Sequence, residues 1–266
     1  MLAQEGVPVE VLVTDDGSTD ATASELPRWA EREPRLTALR VEPSGGAPAA
    51  RNLAIRRSNG AFITGLDDDD AFAPGRLRAF IERWSEVCGS AESPTLLYGV
   101  SRVMGDEEER APSSRESVGS ADLCRANHIG NQVFAPRQAW LDSGGFAEGL
   151  KGWQDLDLWL RMLGADGRAI CAPAAVQWVD QEEGRNRISS RPPQQVARTR
   201  DQVVSRHAAL GRKAQFDLYC QMFSAHYGFE PSWADVRGAV RLHPRPSSLL
   251  RILTLKKRRR RQRGRR

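Results

Sequence analysis

Apolar runs bounded by turn residues alternate with helix-like segments over the first third of the chain. The apolar runs predict strands at residues 9–14, 36–41 and 61–66. A helix-like segment follows each run, from Ser18 or Thr19 to about Glu33, then at residues 49–57 and 75–87. This alternation predicts an α/β fold with a mostly parallel sheet flanked by helices.

The second half of the chain is less regular. Strand-like runs lie at residues 95–104 and 132–135, and helix-like segments begin at Pro136 and cover residues 155–164 and 196–227. The polar segment 105–121 predicts a loop. The predicted organisation is an α/β domain over 1–190 with halves at 1–95 and 96–190, a helical region over 191–255, and a basic disordered tail over 256–266.

Charge is unevenly distributed, which changes the meaning of the net charge of +5. Nine of the 39 Lys and Arg residues lie in the last eleven positions, which leaves 30 basic and 34 acidic residues in the rest of the chain. A mildly acidic body lacks the electrostatic footprint of a nucleic-acid-binding fold. We therefore expect no nucleic acid as a partner of the folded body.

Cysteine usage and hydropathy indicate a cytoplasmic protein. The four cysteines are scattered, with no close pairing that predicts a disulfide framework or a zinc site. No stretch approaches the roughly 20 apolar residues that span a bilayer. The N-terminus lacks the basic start and apolar centre of a signal peptide.

The sequence GLDDDDAF at residues 65–72 places four consecutive carboxylates directly after a predicted strand. Like charges this close repel one another, so the run indicates a bound cation. Oxygen ligands suit Mg²⁺ or Mn²⁺, which takes one or two carboxylates and completes its shell with water and phosphate oxygens. A solvated acidic loop and a plain calcium site are the alternatives, although the spacing of an EF-hand is absent.

A second acidic pair, Asp15 and Asp16, follows the first predicted strand. Because parallel strands end at the same edge of a sheet, both acidic clusters are expected to face one crevice. Asp15 and Asp16 can accept hydrogen bonds from a nucleobase imide or a ribose hydroxyl, or they can cap a helix. Arg51, near the start of a helix that follows two glycines, suits a diphosphate, although an Arg on a helix is usually solvated.

A third candidate cluster lies in GWQDLDLWLRM at residues 152–162. Asp155 and Asp157 start an amphipathic helix, where Asp155 can act as a general base and Asp157 as a cap or supporting partner. Trp153 and Trp159 either belong to the core or shape a sugar-binding platform, and the core interpretation is favoured.

Four motifs in this order resemble those of family 2 glycosyltransferases, which have the GT-A fold: VEVLVTDDGSTDAT, GGAPAARNLAI, GAFITGLDDDDAFAPGRL and GGFAEGLKGWQDLDLWLRM. The resemblance covers roughly residues 2–165 and is closest to bacterial enzymes that build surface polysaccharide or lipopolysaccharide.

The resemblance also implies a role for each matching residue. The implied ligands of the nucleotide-sugar donor are Asp15, Asp16, Arg51, Asp67 and Asp68. The implied metal ligands are Asp69, as the more direct one, and Asp67. The implied catalytic base is Asp155, and the implied supporting residues are Asp157, Gln154 and Trp153.

Two features depart from the family pattern. Gln154 stands where the family often has Glu, which removes a charge and leaves the base in place. The first strand and helix of the family are missing, because Met1 falls near the end of that helix. Either the true start lies upstream of Met1, or the chain is a shortened, impaired version.

The resemblance implies an inverting, metal-dependent transfer of a sugar from a nucleotide-diphosphate donor to a hydroxyl of a glycan or lipid-linked acceptor. A catalytically impaired sugar-nucleotide-binding protein is the alternative, and a nucleotidyltransferase is a weaker one. Residues 249–266 favour docking on an anionic membrane surface, at the inner face of the plasma membrane, over a merely solvated tail. The apolar residues expected at that interface are Leu249, Leu250, Ile252, Leu253 and Leu255.

Overall fold

The chain divides into two compact units. A computed structural model describes residues 1–88, 95–104, 115–180, 192–224, 227 and 229–263, so most of the predicted loop 105–121 lies outside the described residues. The first unit comprises Met1–Ser120, His128–Gly149 and Gln154–Glu182, and the second comprises Ala121–Asn127, Leu150–Trp153 and Glu183–Arg266. Two short internal segments therefore belong to the second unit.

Strands and helices alternate at the start of the first unit, and helices make up most of the second. The strands are β1 (Val11–Asp15), β2 (Leu36–Arg40), β3 (Phe62–Thr64), β4 (Ala71–Phe72), β5 (Leu96–Val103), β6 (Ser117–Val118), β7 (Val133–Pro136) and β8 (Ala169–Val179). The helices are α1 (Thr22–Arg32), α2 (Ala47–Arg57), α3 (Arg76–Val87), α4 (Ser120–Arg125), α5 (Arg137–Asp142), α6 (Gln154–Leu163), α7 (Pro193–Arg206), α8 (Arg212–Gln221), α9 (Trp233–Leu242) and α10 (Pro246–Arg263).

Hydrogen bonds join the strands into two sheets. Strands β1 and β2 run parallel, with Val11 opposite Leu36 and Asp15 opposite Arg40. The second sheet has the order β3-β7-β5-β8-β4, and β6 also pairs with β8. In it, β5 and β8 are parallel, whereas β3–β7, β5–β7, β4–β8 and β6–β8 are antiparallel. The α/β prediction is confirmed, but the sheet is mixed rather than mostly parallel.

Strand β8, which the sequence pattern did not predict, is one reason why the sheet is mixed, since β4 and β6 both pair with it antiparallel. Its sequence AICAPAAVQWV contains Pro173 and several alanines, which interrupt the β-branched pattern of a strand. The register against β5 shifts between Cys171 and Val176, and only Gly99 lies opposite this irregular stretch. A Cβ atom at Gly99 would lie 2.1 Å from the carbonyl oxygen of Ala175, so the irregularity requires glycine there.

Stacked aromatic rings form the centre of the core of the first unit. The ring of Phe134 on β7 lies 4.7 Å from that of Phe62 and 4.9 Å from that of Phe80, and all three are nearly parallel. The buried guanidinium of Arg76 lies 4.8 Å from the centre of the Phe80 ring and donates to Gln177 Oε1 at 3.1 Å. These contacts hold α3 against the sheet from which the acidic run emerges.

Helix α10 belongs to the core of the second unit. Its Ile252 side chain is fully buried. On α8, the buried carboxylate of Asp217 forms ion pairs with Lys213 and with Arg251 of α10. A buried carboxylate needs such partners, because an uncompensated charge in the interior is unfavourable.

Two sequence predictions about this region need correction. Helix α10 continues to Arg263, so most of the predicted disordered tail 256–266 is helical, which fits the favourable helix propensity of Lys and Arg. Of the five apolar residues expected to meet a membrane, only Leu249 and Leu250 are exposed. Within the described ranges, no helix has the length and hydropathy needed to cross a bilayer.

Replacing Phe134 by Ala should lower the free energy of unfolding by about 3–5 kcal/mol, because it removes the central ring of the stack. Denaturant titration followed by circular dichroism measures the change. Trp29→Ala is the control, since Trp29 is 63% exposed, and its effect should stay within about 0.5 kcal/mol. Equal losses in the two variants would contradict this assignment of the core.

Candidate active site

The acidic run lies between strands β3 and β4 and is held at both ends. Strand β3 ends at Thr64, shortly before Asp67, and Ala71 of β4 pairs with Trp178 on β8. The N–H of Asp70 donates to the carbonyl oxygen of Asp67 at 3.2 Å, which closes a turn. The four carboxylates therefore lie on a short loop between two strands.

Three side chains bind the carboxylate of Asp67. Arg51 Nη2 donates to Oδ1 at 2.5 Å, Asn131 Nδ2 donates to Oδ2 at 2.8 Å, and Gln132 Nε2 donates to Oδ1 at 3.2 Å. These donors come from α2 and from the segment that enters β7. The structure brings Arg51 and Asp67 together, and it adds two residues that sequence reasoning missed. Their only signal in the sequence was a pair of amide side chains at the start of the strand predicted at residues 132–135.

The neighbouring carboxylates suit a hard cation. Asp68 and Asp69 are exposed. Burial, together with the charges of Asp67, Asp69 and Asp180, raises the pKa of Asp70 to about 6. Burial is the larger cause, and the part that comes from the neighbouring carboxylates is the part that a divalent ion would offset. Among the described side chains, no group of three or more His, Cys, Asp and Glu forms a complete metal site, but Mg²⁺ usually takes only one or two protein carboxylates.

Asp15 ends strand β1 with its side chain buried. Its carboxylate accepts a hydrogen bond from the N–H of Ser18 at 2.9 Å and forms an ion pair with Arg40, its cross-strand neighbour on β2. The bonds from Ser18, and secondarily the charge of Arg40, lower the pKa of Asp15. Asp15 is therefore held as a carboxylate in a fixed orientation.

Asp16 binds the segment that begins helix α2. Its carboxylate accepts hydrogen bonds from the N–H groups of Gly45 and Gly46, both at 2.8 Å, and from Ser44 Oγ at 2.9 Å. Asp16 thus stabilises a helix N-terminus, but that of α2 rather than that of α1. Because Arg51 lies on α2, this contact connects Asp16 to the helix that supplies a donor to Asp67.

Asn52, next to Arg51 on α2, fixes the turn that leads towards α6. Its side chain donates to the carbonyl oxygen of Phe146 at 2.9 Å and accepts from the N–H of Phe146 at 2.7 Å. Gly145 has a φ of +69°, and a Cβ atom there would lie 2.4 Å from Asn52 Oδ1. Helix α2 therefore contacts both the Asp67 loop and the turn ahead of α6. Asn52 lies in the motif GGAPAARNLAI, in which the sequence pattern implied a role only for Arg51.

Asp155 lies in the first turn of α6. The side chain is 29% exposed, but its Oδ1 atom is buried, with Arg51 Nη1 3.8 Å away. Burial raises the pKa of Asp155 to about 6; the charge of Arg51 opposes this shift, and that of Asp67 adds to it. Arg51 therefore lies close to the carboxylates of both Asp67 and Asp155.

Two of the predicted supporting residues are buried in α6. Asp157 is fully buried and forms an ion pair at 3.0 Å with Arg161, one turn along the helix. Arg161 Nη2 also donates to the carbonyl oxygen of Gly145 at 2.7 Å, which ties α6 to the turn before it. Gln154 is buried at the first position of the helix.

The two tryptophans of this motif differ in environment. Trp159 is fully buried in the core of the first unit, as the favoured interpretation held. Trp153 belongs to the second unit, where its ring lies 6.1 Å from that of Tyr227. Its backbone φ of +54° is uncommon for a residue other than glycine.

Known proteins are similar to this chain over most of its length. The sequence profile described as Glycosyl transferase family 2 matches residues 1–96. The putative colanic acid biosynthesis glycosyl transferase WcaA of Escherichia coli is 32% identical over 198 residues, which are 72% of this chain and 69% of that protein. The chain belongs to glycosyl transferase family 2. The family resemblance of the motifs is confirmed.

Other relatives of this glycosyltransferase also take part in building bacterial polysaccharides. The succinoglycan biosynthesis proteins ExoO and ExoU of Rhizobium meliloti are 45% and 34% identical over 185 and 183 residues. The alignments cover 65% and 63% of this chain, which spans about half the length of each relative, 53% in both cases.

Solved structures of glycosyltransferases share the fold. The structure of Staphylococcus aureus TarS 1–349 in complex with UDP-GlcNAc has a TM-score of 0.70 at 16% identity, covering 98% of this chain and 86% of that one. The mannosyltransferase PcManGT from Pyrobaculum calidifontis, in complex with GDP-Man and Mn²⁺, has a TM-score of 0.55 at 17% identity and covers 96% and 77%. The family 2 glycosyltransferase therefore has the GT-A fold, as the motifs implied.

We predict that the Asp155 carboxyl group titrates near pH 6. Because Arg51 stabilises the ionised form, Arg51→Met should raise this pKa further, whereas Arg51→Lys should raise it less. Carbon-13 NMR of the aspartate carboxyl carbons measures the value, and Asp155→Asn identifies the signal. A pKa close to the ordinary 3.8 in the unchanged protein would contradict the burial of this carboxylate.

Proposed function

We propose that this glycosyltransferase moves a sugar from a nucleotide-diphosphate donor to a hydroxyl of a glycan or lipid-linked acceptor, with inversion at the anomeric carbon. The main support for this proposal is the position of the Arg51 guanidinium. Its nitrogens lie 2.5 Å from Asp67 Oδ1 and 3.8 Å from Asp155 Oδ1, so Arg51 joins the acidic run and the candidate base in one cluster. Two further findings support this donor and product class. Relatives are named for colanic acid and succinoglycan biosynthesis, and a protein of similar fold has been solved in complex with UDP-GlcNAc.

Asp155 is the proposed general base. It takes the proton of the acceptor hydroxyl while the acceptor oxygen bonds to the anomeric carbon, and the bond from that carbon to the donor diphosphate breaks. Attack from the face opposite the diphosphate inverts the configuration. A pKa of about 6 suits this role, because the group is mostly ionised at neutral pH and still basic enough to accept a proton.

The acidic run is the proposed site of the donor diphosphate and its divalent ion. Asp69 and Asp67 would hold Mg²⁺ or Mn²⁺. Asp69 is proposed as the more direct ligand, as the family resemblance implies, and its exposure on the loop makes it accessible to an ion. When bound, such an ion offsets the negative charge that develops on the leaving diphosphate.

The nucleotide is proposed to lie against Asp15, Asp16 and Asp68, with Arg51 beside the diphosphate. Asp15 is supported in this role by the hydrogen bond from Ser18 and the ion pair with Arg40, which keep the carboxylate ionised and fixed. A fixed acceptor of this kind suits a nucleobase imide or a ribose hydroxyl.

Asp155→Asn should reduce kcat by about 10²–10⁴-fold with little change in donor affinity, because an amide of the same shape cannot accept the proton. Asp69→Ala should instead weaken Mn²⁺-dependent binding of UDP. Mass spectrometry with a panel of sugar nucleotides measures transfer and donor hydrolysis, and calorimetry with UDP and Mn²⁺ measures binding.

The two measurements separate the alternatives. Binding with transfer or slow donor hydrolysis supports the enzyme, whereas binding without turnover identifies an impaired sugar-nucleotide-binding protein. Unchanged transfer in Asp69→Ala, or in the presence of a chelator, would overturn the metal-dependent mechanism.

We further propose that helix α10 and the residues after it bring the enzyme to an anionic membrane surface on the cytoplasmic side. Residues 258–266 contain seven Arg. On the same helix Leu249 and Leu250 are 41% and 68% exposed. Each basic residue near an anionic surface contributes at most about 1 kcal/mol to the free energy of membrane binding, so stable binding needs several of them. A lipid-linked acceptor would be held at the same surface.

Deletion of residues 258–266 should reduce co-sedimentation with phosphatidylglycerol vesicles and leave the weak background with phosphatidylcholine vesicles unchanged. The deletion keeps the buried Ile252 and Lys256 of α10 in place, so the second unit is expected to fold. Leu250→Asp tests the apolar contribution, with the exposed Trp29→Ala as a control. Equal co-sedimentation of the full and shortened chains would rule out this surface.

A further inference from the structure

The segment that enters β7 supplies two neutral donors to the acidic run. Asn131 Nδ2 binds Asp67 Oδ2 at 2.8 Å, and Gln132 Nε2 binds Asp67 Oδ1 at 3.2 Å. Two consecutive residues thus contact both oxygens of one carboxylate. The negative charge of that carboxylate sets the orientation of both amides, because an amide oxygen facing it would be repelled.

This segment is fixed on both sides. Gln132 is buried, and a Cβ atom at Gly65 would lie 2.2 Å from Gln132 Oε1, so the amide is packed directly against the backbone that leads into the acidic run. The indole of Trp159, which is fully buried on α6, donates to the carbonyl oxygen of Gly130 at 3.0 Å. The donors to Asp67 are therefore attached to the same helix that carries Asp155.

Neutral donors and a cation act differently on a carboxylate. The amides of Asn131 and Gln132 fix the orientation of Asp67 without neutralising its charge, so that charge still attracts Arg51. Arg51 in turn lies 3.8 Å from Asp155. Loss of the Asn131 amide removes the donor to Oδ2 of Asp67, and loss of the Gln132 amide removes one of the two donors to Oδ1, which Arg51 also binds. Either loss gives the carboxylate more freedom to rotate away from its orientation beside Arg51.

We propose that Asn131 and Gln132 are positioning residues: by holding Asp67 in one orientation, they keep Arg51 beside Asp155. They also fix the orientation of Asp67, which is one of the two carboxylates proposed to hold the ion that accompanies the donor. This role rests on the proposed glycosyl transfer, and it assigns no direct contact between either amide and the substrate.

Asn131→Ala and Gln132→Ala should each lower kcat/KM by about tenfold or more, since a hydrogen bond to a charged group is lost. Asn131→Asp should have a larger effect, because it places a second carboxylate against Asp67. Gln138→Ala is the matched control: Gln138 Nε2 makes the same kind of bond, 2.7 Å to Asp142 Oδ1, at an exposed surface. The control should leave kcat/KM unchanged.

A double-mutant cycle distinguishes positioning from general structural damage. In an Asp67→Asn background, Asn131→Ala should have little further effect on kcat/KM, because its target charge is gone. Additive losses, or variants that match the Gln138→Ala control, would overturn the proposal while glycosyl transfer by the unchanged protein would stand.

Calorimetry with UDP and Mn²⁺ on the same variants gives a readout that does not need turnover. The dissociation constant should rise several-fold in Asn131→Ala and stay constant in Gln138→Ala. If the unchanged protein transfers no sugar, the proposed function fails, and this binding series alone decides the positioning role. Identical dissociation constants across the series would then overturn it.

Discussion

The ion pair between Arg51 and Asp67 is the interaction on which the candidate site depends. The same guanidinium lies 3.8 Å from Asp155, whose Oδ1 atom is buried. Two carboxylates that burial and mutual repulsion would disfavour are thus stabilised by one cation. A guanidinium suits this position because it stays protonated and its planar fork can face two acceptors. The part of the site assigned to the donor and the part assigned to the acceptor therefore form one electrostatic unit.

Helix α2 connects the motifs that the chain keeps far apart. Asp16 binds the residues that begin it, Arg51 reaches the acidic run, and Asn52 fixes the turn at Phe146 ahead of α6. All three contacts lie on this 11-residue helix or at the glycine that begins it. A shift of α2 would therefore move them together.

Environment gives chemically identical aspartates different properties. Hydrogen bonds from Ser18 and the charge of Arg40 keep Asp15 ionised, whereas burial makes Asp155 a stronger base than an ordinary carboxylate. Asp157, two positions further along, is fully buried and paired with Arg161, so it serves the packing of α6. Separation of pKa values among neighbouring carboxylates is a general way to assign different roles to them.

Local hydrophobic periodicity and short motifs were enough to predict the α/β class, the first three strands and helices, and the family. They did not reveal strand β8, whose proline and alanines hide it, or the antiparallel pairing of β3 with β7. The position of Arg51 between two carboxylates, and the binding of Asp67 by Asn131 and Gln132, became visible in the folded chain. A sequence pattern reports which residues are apolar or charged. The partner of a strand or of a carboxylate instead depends on which remote segment of the chain the packed core brings within hydrogen-bonding range.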